Sequence, residues 1–351
     1  MEILVSEFIK YSSIENSYRQ AFLDKCAMAV GNKTMVALEK IHGANFSWIV
    51  TADSVRVAKR SGLIEETETF YGHTRFYKRY LPAVQTLFEL AKDENPSLIQ
   101  LNLYGEIFGG NYNGTTAQSA KKVQTGVNYH PDNEFMAFDI RLTFDNGVSR
   151  YLSYADMEEL ILDANVITSS DIENHIPIAP VIGIGTLETL IKLDPLFYTR
   201  VPAFFGLEVN DTKTNTDYAE GFVIRGFHDD FYIGNERVIL KQKNALYGEK
   251  EKEVKIKAAV NLTDEQQAKL DKICSYINQN RLAAVVSKIG TVTQKDFGRV
   301  QGELTRDALD DFAKDEGYKL QEDEDWGLLT KRVGKHSADT IREQWLNLID
   351  G

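Results

Sequence analysis

The stretch KIHGANF, residues Lys40–Phe46, lies between two apolar runs, MVAL before it and FSWIV at its end. Apolar and polar residues alternate from Leu38 to Ile41, as they do in a half-buried strand. Gly43 permits a turn with positive φ, which would send the chain back into a second strand. The sequence therefore predicts a tight hairpin that carries one amine, Lys40.

The amine of a lysine is a nucleophile only in its neutral form. At an ordinary pKa of about 10.4, roughly one molecule in a thousand is neutral at pH 7, which corresponds to about 4 kcal/mol. Burial and cationic neighbours both favour the neutral form. A surface lysine in a hairpin is the alternative, and residue type by itself favours it.

Length and composition describe an ordinary globular protein. The chain has 351 residues, enough for two domains, and is 43% hydrophobic and 26% charged. No apolar run approaches membrane-spanning length, and the N-terminal stretch lacks a signal cleavage site, so a cytoplasmic protein without a membrane partner is expected. Cys26 and Cys274 lie far apart without a CxxC pattern, which predicts buried thiols rather than a disulfide or a zinc site.

The formal net charge of −12 argues against a protein that coats nucleic acid nonspecifically. A local basic groove remains possible, because salt limits the reach of exposed charges to about 8 Å. The basic strips that could form such a groove are Lys59–Arg60, Arg75–Arg79, Lys121–Lys122 and Lys241–Lys257.

The lysine motif resembles that of a known family. K-x-[DH]-G between two strands is the nucleophile motif of covalent nucleotidyltransferases, and KIHGANF has the form KxHGxNF of the RNA ligase 2 family. The resemblance implies that Lys40 takes AMP from ATP as a phosphoramidate. It also implies that Glu39, Ile41 and Asn45 belong to the ATP site.

Two further segments resemble nucleotide-contacting motifs of the same family. Arg60, in KRSG, matches an arginine that contacts nucleotide or phosphate, whereas a solvated strand end is the alternative. Phe138, in FMAFDI, would stack on the adenine, and a core phenylalanine is about equally expected on residue type alone. The aromatic and basic segment Phe70–Leu81 is open to two interpretations, core packing or an RNA-facing platform.

Two glutamates enter apolar strands beside glycine and resemble the third and fourth family motifs. Glu106 follows the predicted strand Ser97–Leu103, and Glu220 begins EGFVIR. The resemblance makes both of them ligands for Mg²⁺, which prefers one or two carboxylates together with substrate phosphates. Salt-bridged glutamates are the alternative.

A fifth element, KQK, completes the family's order. Lys241 and Lys243 are two apart on a predicted strand, so both amines face the same side and suit a triphosphate. Five elements in one order, on predicted strands, are much harder to obtain by chance than any one of them.

The chain also divides into two predicted domains. A charged run with few apolar residues precedes a proline-free helical tail, in which Thr263 and Gln266 form a capping box. We predict an α+β fold: a mainly antiparallel-sheet nucleotidyltransferase domain at 1–246, a linker at 247–260 and an all-helical domain at 261–351. The tail resembles the RNA-engaging C-terminal domain of the RNA ligase 2 family at NRLAAVVSKIG and KDFG.

One position departs from the family pattern. Many members have threonine where this chain has Ala44, and loss of the hydroxyl would weaken a contact with the RNA ends. Asn45 is retained, and its amide could donate to a phosphate or accept from a hydroxyl of the RNA. His42 is close to the attacking amine, yet a lone histidine is more often a packed, hydrogen-bonding residue than an acid or base.

The resulting hypothesis is an ATP-dependent RNA ligase that joins a 3'-hydroxyl to a 5'-phosphate at a nick or bridged break in duplex RNA. Its expected co-substrate and cofactor are ATP and Mg²⁺, and a monomer is expected. The alternatives are an mRNA capping guanylyltransferase, a noncatalytic RNA-binding relative and a DNA nick-sealing enzyme, the last disfavoured by His42 where DNA ligases usually have aspartate.

Overall fold

The computed structural model describes residues 7–207, 217–250 and 262–349. Its contacts divide the chain into two units, Met1–Asn244 and Ala245–Gly351. The predicted boundary at residue 246 and the linker at 247–260 stay predictions, because positions 251–260 lie outside the described residues. Within the described ranges no helix is long and apolar enough to cross a membrane.

The described residues form mainly antiparallel strands in the first unit and helices in both, which confirms the predicted α+β class. The strands are β1 (Glu15–Asn16), β2 (Met35–Glu39), β3 (Ala44–Val50), β4 (Val55–Lys59), β5 (Gly62–Leu63), β6 (Leu98–Asn111), β7 (His130–Phe144), β8 (Ser149–Tyr151), β9 (Val181–Gly185), β10 (Gly221–Gly226), β11 (Tyr232–Ile233), β12 (Glu236–Arg237) and β13 (Leu240–Lys243). The helices are α1 (Gln20–Val30), α2 (Thr74–Glu94), α3 (Tyr154–Thr168), α4 (Leu187–Leu190), α5 (Val201–Phe204), α6 (Asp264–Cys274), α7 (Gln279–Ile289), α8 (Phe297–Glu316), α9 (Trp326–Arg342) and α10 (Trp345–Ile349).

Two sheets build the first unit. One has five strands in the order β1-β13-β10-β2-β9, antiparallel throughout except for the parallel pair β1 and β13. The other has six antiparallel strands in the order β5-β4-β3-β6-β7-β8, and β11 pairs with β12 in a separate ribbon. Successive strands β2 and β3 therefore belong to different sheets.

The largest core lies where α2 and α3 cover the six-stranded sheet. Alternate residues of β3, among them Phe46 and Trp48, pack against Phe76 of α2 and Phe135 of β7, with ring centroids 5.6 to 6.4 Å apart. Within the segment 70–81, Phe70, Phe76 and Tyr80 are buried and Tyr77 stacks on Trp48. These rings are core, which favours packing over an RNA-facing platform for this segment.

The first helix begins later than its apolar spacing indicates. Ile14, Tyr18 and Phe22 are spaced as on one face of a single helix, but α1 begins at Gln20. The preceding pair Glu15–Asn16 forms β1 and lies beside β13. Pairing with β13 satisfies the backbone hydrogen bonds of these two residues, so they form a strand although the apolar spacing is that of a helix.

The second unit is helical throughout its described part. Thr263 and Gln266 make both bonds of the predicted capping box at the start of α6. The apolar face of α6, made by Leu270, Ile273 and Cys274, is buried, and the helix packs against α8 and α9. The all-helical prediction for this region is confirmed over the residues described.

Candidate active site

Lys40 lies in the crossover that joins the two sheets. Strand β2 has β9 and β10 on its two edges, and β3 has β4 and β6. Since neither strand has an open edge for the other, the predicted hairpin is wrong. The Lys40 backbone N–H donates to the Gly221 carbonyl at 2.9 Å, so the residue extends the ladder of β2 with β10 before the chain leaves that sheet.

Gly43 is required by a close approach and not by its φ angle. Its φ lies outside the left-handed region, so the positive-φ turn predicted for it is wrong. A Cβ at this position would stand 2.1 Å from the Ile107 carbonyl oxygen and 2.8 Å from Glu106 Cγ. The glycine therefore lets the crossover lie directly against β6, which brings Lys40 near Glu106.

Two side chains from the segment between β6 and β7 hold the crossover in place. The Tyr129 hydroxyl accepts a hydrogen bond from the His42 backbone N–H at 2.9 Å. The Gln124 side-chain amide donates to the Gly43 carbonyl at 3.1 Å. Neither residue could be predicted from the sequence, because the polar composition of this loop does not reveal which backbone atoms its side chains bind.

The carboxylate of Glu220 gathers three side chains of the site. Lys40 Nζ donates to one of its oxygens at 2.7 Å and Lys243 Nζ to the other at 2.7 Å. His42 Nδ1 lies 3.3 Å from the oxygen that Lys40 contacts. Burial alone would raise the pKa of Glu220, but Lys243, Lys40 and His42 together hold it well below its usual range.

Glu106 has the opposite electrostatic balance. The strand predicted to end at Leu103 continues as β6 to Asn111, so Glu106 lies within it, opposite Asn45 of β3. Burial raises the pKa of Glu106 to about 8; Lys40 lowers it, and the charge of Glu220 adds to the rise. The two predicted metal ligands are thus close enough to repel each other.

Two more of the predicted cations belong to the same neighbourhood. Arg60 occupies the turn between β4 and β5 and is near enough to lower the pKa of Glu106. Lys241 of β13 lies opposite Val223 of β10. It is two residues before Lys243 and on the same side of the strand. The structure therefore brings Lys40, Glu106, Glu220, Lys243 and Arg60 around one site, with Lys241 two residues before Lys243 on the same face of its strand.

Phe138 lies in an aromatic cluster beside this strand. Its ring meets Tyr11 edge-on at 5.1 Å. Val223, the residue opposite Lys241, packs against the same cluster. The ring remains partly exposed. Packing and stacking on a ligand are both compatible with this placement, so the predicted contact with adenine stays a prediction.

The side chains beside the lysine face the protein interior. Glu39 is 2% exposed, and its carboxylate accepts from the Thr199 hydroxyl and from the Arg200 backbone N–H. Ile41 is buried in the main core. Their predicted role in the ATP site stays a prediction, and it would have to be carried by the backbone. Asn45 is partly exposed, opposite Glu106.

A second charge cluster, here called the Asp139 network, was missed. Asp139 accepts from Tyr11 Oη at 2.8 Å and Arg225 Nη1 at 2.9 Å, and it also accepts from Arg237. Asp139 and Arg225 both stood in quoted motifs, FMAFDI and EGFVIR. A charged residue inside an apolar strand indicates a buried partner, but only the fold shows which partner it has.

The predicted basic strips differ in availability. Arg75 and Arg79 form ion pairs with Asp132 and Glu134, so much of their charge is used within the unit. Lys121 and Lys122 are exposed on the loop between β6 and β7. Only part of the strip beginning at Lys241 is described, because positions 251–257 lie outside the described residues.

A lysine between two antiparallel sheets, paired with a buried glutamate and accompanied by a second glutamate and further cations, is the arrangement that defines the nucleotidyltransferase class. Family comparisons extend this assignment. Residues 33–243 match the RNA ligase family, and residues 260–339 match the family described as T4 RNA ligase 2 C-terminal. The chain belongs to the RNA ligase family and is a member of its RNA ligase 2 branch.

Curated relatives include two mitochondrial RNA-editing ligases of Trypanosoma brucei brucei. RNA-editing ligase 1 is 27% identical over 372 residues, covering 88% of this chain and 76% of the relative. RNA-editing ligase 2 is 25% identical over 365 residues, covering 88% of this chain and 84% of the relative.

Similar solved structures include an RNA ligase of Naegleria gruberi. Its structure with PPi aligns with a TM-score of 0.45 at 17% identity, covering 70% of this chain and 59% of that one. A mutant of the same ligase with ATP and Mn aligns with a TM-score of 0.43 at 15% identity, covering 68% and 57%. The chain thus spans less than two thirds of the length of these structures.

Proposed function

We propose that this RNA ligase seals 3'-hydroxyl and 5'-phosphate ends in duplex RNA through a lysyl-AMP intermediate. In the first step Lys40 Nζ bonds to the α-phosphorus of ATP, the bond to the β-phosphate oxygen breaks, and pyrophosphate leaves as the amine loses its proton. The RNA 5'-phosphate then displaces Lys40 from the AMP. Finally the 3'-hydroxyl attacks that 5'-phosphate, and AMP departs.

The observation that carries the proposal is the shared carboxylate of Glu220. Lys40 and Lys243 each donate to one of its oxygens at 2.7 Å. Lys243 offsets part of the negative charge that would otherwise hold the Lys40 proton. The same contacts fix the direction of the Lys40 side chain, and phosphoryl transfer depends mainly on positioning and charge stabilisation.

The chain's own residues also suit a triphosphate. Lys241 and Lys243 project from one side of β13, where two amines can contact the β- and γ-phosphates and stabilise charge on departing pyrophosphate. Arg60 supplies a third cation from the turn after β4. Phe138 would stack on the adenine, and Asn45 would contact a phosphate or an RNA hydroxyl.

Glu106 and Glu220 fit a divalent cation of the magnesium type. Their carboxylates repel each other. Burial and this repulsion raise the pKa of Glu106 to about 8, although Lys40 lowers it. A cation would stabilise both in ionised form. Among the described residues no cluster of three potential ligand side chains occurs, so substrate oxygens would complete the shell. The bound ion would supply charge stabilisation for the phosphates.

The family assignment supports an RNA partner, and the relatives named above are described as RNA-editing ligases. A nick or bridged break in duplex RNA is the proposed substrate, with the helical unit engaging the RNA. Ala44 lacks the hydroxyl found at this place in many members, so the steps on RNA are expected to depend more on Asn45. A monomer and a cytoplasmic location remain predictions, and the relatives named above are described as mitochondrial.

Label transfer from α-labelled ATP tests the proposal. Wild-type protein should acquire label, and Lys40→Ala should acquire none, because the mechanism forms the phosphoramidate on the Lys40 amine. Lys192→Ala, at an exposed lysine paired with Glu188, is the matched control and should label normally. Label retained in Lys40→Ala would contradict the mechanism.

Two further arms of the same experiment separate the alternatives. Labelling by GTP and not ATP would favour a capping guanylyltransferase. RNA binding without label from either nucleotide would favour a noncatalytic relative. Sealing assays on nicked duplexes with RNA or DNA on each side of the nick then test the substrate, and efficient sealing of all-DNA nicks would contradict the RNA assignment.

A further inference from the structure

Two tyrosines close to Glu220 form a stacked pair at the protein surface. The rings of Tyr198 and Tyr218 have centroids 4.7 Å apart and planes inclined by 14°. Tyr198 is 43% exposed. Neither ring belongs to a hydrophobic cluster of the described residues, although most large aromatic side chains of this unit do. Among the described residues, the pair thus lies outside the hydrophobic clusters that form the core.

The backbone fixes both rings on one face. Tyr198 and Tyr218 are partners in an antiparallel bridge. The flanking hydrogen bonds run from Thr199 N–H to the Asp217 carbonyl at 2.8 Å and from Ala219 N–H to the Phe197 carbonyl at 2.9 Å. A rigid aromatic surface loses little conformational entropy when a flat ligand stacks on it.

In the sequence, Tyr218 is close to residues that contact Lys40 and its neighbour His42. Tyr218 precedes Glu220, the partner of Lys40, by two residues. On its other side Asp217 accepts a hydrogen bond from the Asn128 amide at 3.3 Å, and the next residue, Tyr129, binds the His42 backbone. Along the backbone, the pair is therefore two residues from the carboxylate that Lys40 contacts, and its neighbour Asp217 is bonded to the loop that supports the crossover.

An exposed cation lies close to the rings in the sequence. Arg200 follows Tyr198 by two residues, is exposed, and donates to the Val181 carbonyl at 2.7 Å, which orients its guanidinium. Aromatic faces beside a positive charge are what single-stranded or unstacked RNA requires, because bases stack on the rings and phosphates meet the cation.

We propose that the Tyr198–Tyr218 pair is a base-stacking subsite that receives the terminal nucleobase at the RNA break, with Arg200 beside it for the adjoining phosphate. The inference rests on the proposed function, since it assigns part of the RNA to this surface. At a break the backbone is discontinuous, so the terminal base can leave its neighbour at less cost than an internal one.

Binding of a nicked RNA duplex by adenylylated protein tests the subsite. We expect Tyr198→Ala to weaken RNA binding by about tenfold, as removal of a base-stacking ring does elsewhere. Tyr198→Phe keeps the ring and should bind within about twofold of wild type. With 2-aminopurine as the terminal base, wild type and Tyr198→Phe should quench its fluorescence and Tyr198→Ala should not. Leu162→Ala, at an exposed apolar residue of α3, is the control for a surface truncation.

The outcomes separate the inference from the proposed function. Label transfer from ATP should be equal in all these variants, because it needs no RNA, and it also reports that each variant is folded. RNA affinity of Tyr198→Ala equal to wild type, or an equal loss in Tyr198→Phe, would overturn the stacking subsite. Absence of ATP labelling in wild-type protein would overturn the proposed function instead.

Discussion

The first unit contains two charge clusters of similar composition, and they differ in completeness. In the Asp139 network the carboxylate and its two arginines are almost inaccessible, with side-chain exposures of 0%, 1% and 4%. Around Glu220 the carboxylate is equally buried at 3%, but Lys40 and Lys243 keep 22% and 16% of their side-chain surface. One cluster is closed by the protein, and the other keeps its cations accessible.

The difference separates a structural cluster from a chemical one. Burial opposes ionisation of Asp139, yet Arg225, Arg237 and a hydrogen bond from Tyr11 hold its pKa below the usual range. Its charge is matched within the fold. The site instead contains a second acid, Glu106, whose pKa burial raises to about 8. A site that leaves charges partly unmatched can match those of a ligand.

Replacing Glu220 should produce the largest effect on activity. In Glu220→Gln the amide cannot offset two ammonium groups, so Lys40 loses the partner that fixes its direction. We expect AMP transfer to fall by roughly 100-fold or more, as when a positioned electrostatic group is removed. Stability should change little, because both amines can hydrate. A near-normal rate of label transfer would contradict the role given to this carboxylate.

Replacing Asp139 should affect stability most. Asp139→Asn leaves Arg225 and Arg237 buried without the carboxylate that both contact, and loss of one partner in such a cluster costs about 3–5 kcal/mol. Urea unfolding followed by tryptophan fluorescence measures the change. Asp230→Asn is the matched control and should cost less, because Asp230 contacts Arg237 and leaves Asp139 in place. Equal losses would show that Asp139 is not the centre of the network.

Glu39, a buried carboxyl without a cationic side chain bonded to it in the described contacts, should have a smaller effect on stability, and one that depends on pH. Burial raises its pKa to about 7, against the hydrogen bonds from Thr199 and Arg200. In the unfolded chain a glutamate has a pKa of about 4.3. The protonated Glu39 carboxyl therefore contributes its full stabilisation below that pH, and this contribution is lost as the pH rises through 7. Glu39→Gln should therefore be more stable than wild type at pH 8, by up to about 3 kcal/mol, and similar to it at low pH.

Urea midpoints at pH 5 and pH 8 measure this contrast. Glu66→Gln, at an exposed glutamate, is the control and should show no such dependence. A stability difference between Glu39→Gln and wild type that is the same at both pH values would contradict the account of Glu39.

The motifs could be read from the sequence because each is local. Apolar runs next to Lys40, Glu106 and Glu220 predicted strands, and the structure has strands at all three places. The capping box at Thr263 is likewise local and is confirmed. The grouping of these residues into one site was predicted from the order of the five motifs, which matches that of the RNA ligase 2 family, because no single motif is specific enough.

Features that the sequence does not reveal depend on contacts between distant residues. The hairpin at Lys40 failed because pairing of β2 and β3 with other strands is not encoded between residues 35 and 50. The support that Tyr129 gives to His42 comes from 87 residues away, and the bond from Tyr11 to Asp139 from 128. Periodicity reports burial, but it does not report which partners meet.

The most direct test of the central claim is to map the covalent adduct. After incubation with ATP and proteolysis, mass spectrometry should find AMP on the peptide that contains Lys40, with fragmentation placing it on that residue. Added pyrophosphate should remove the adduct and regenerate ATP. AMP on Lys243 or another residue, or no adduct on protein that still seals RNA, would contradict the account.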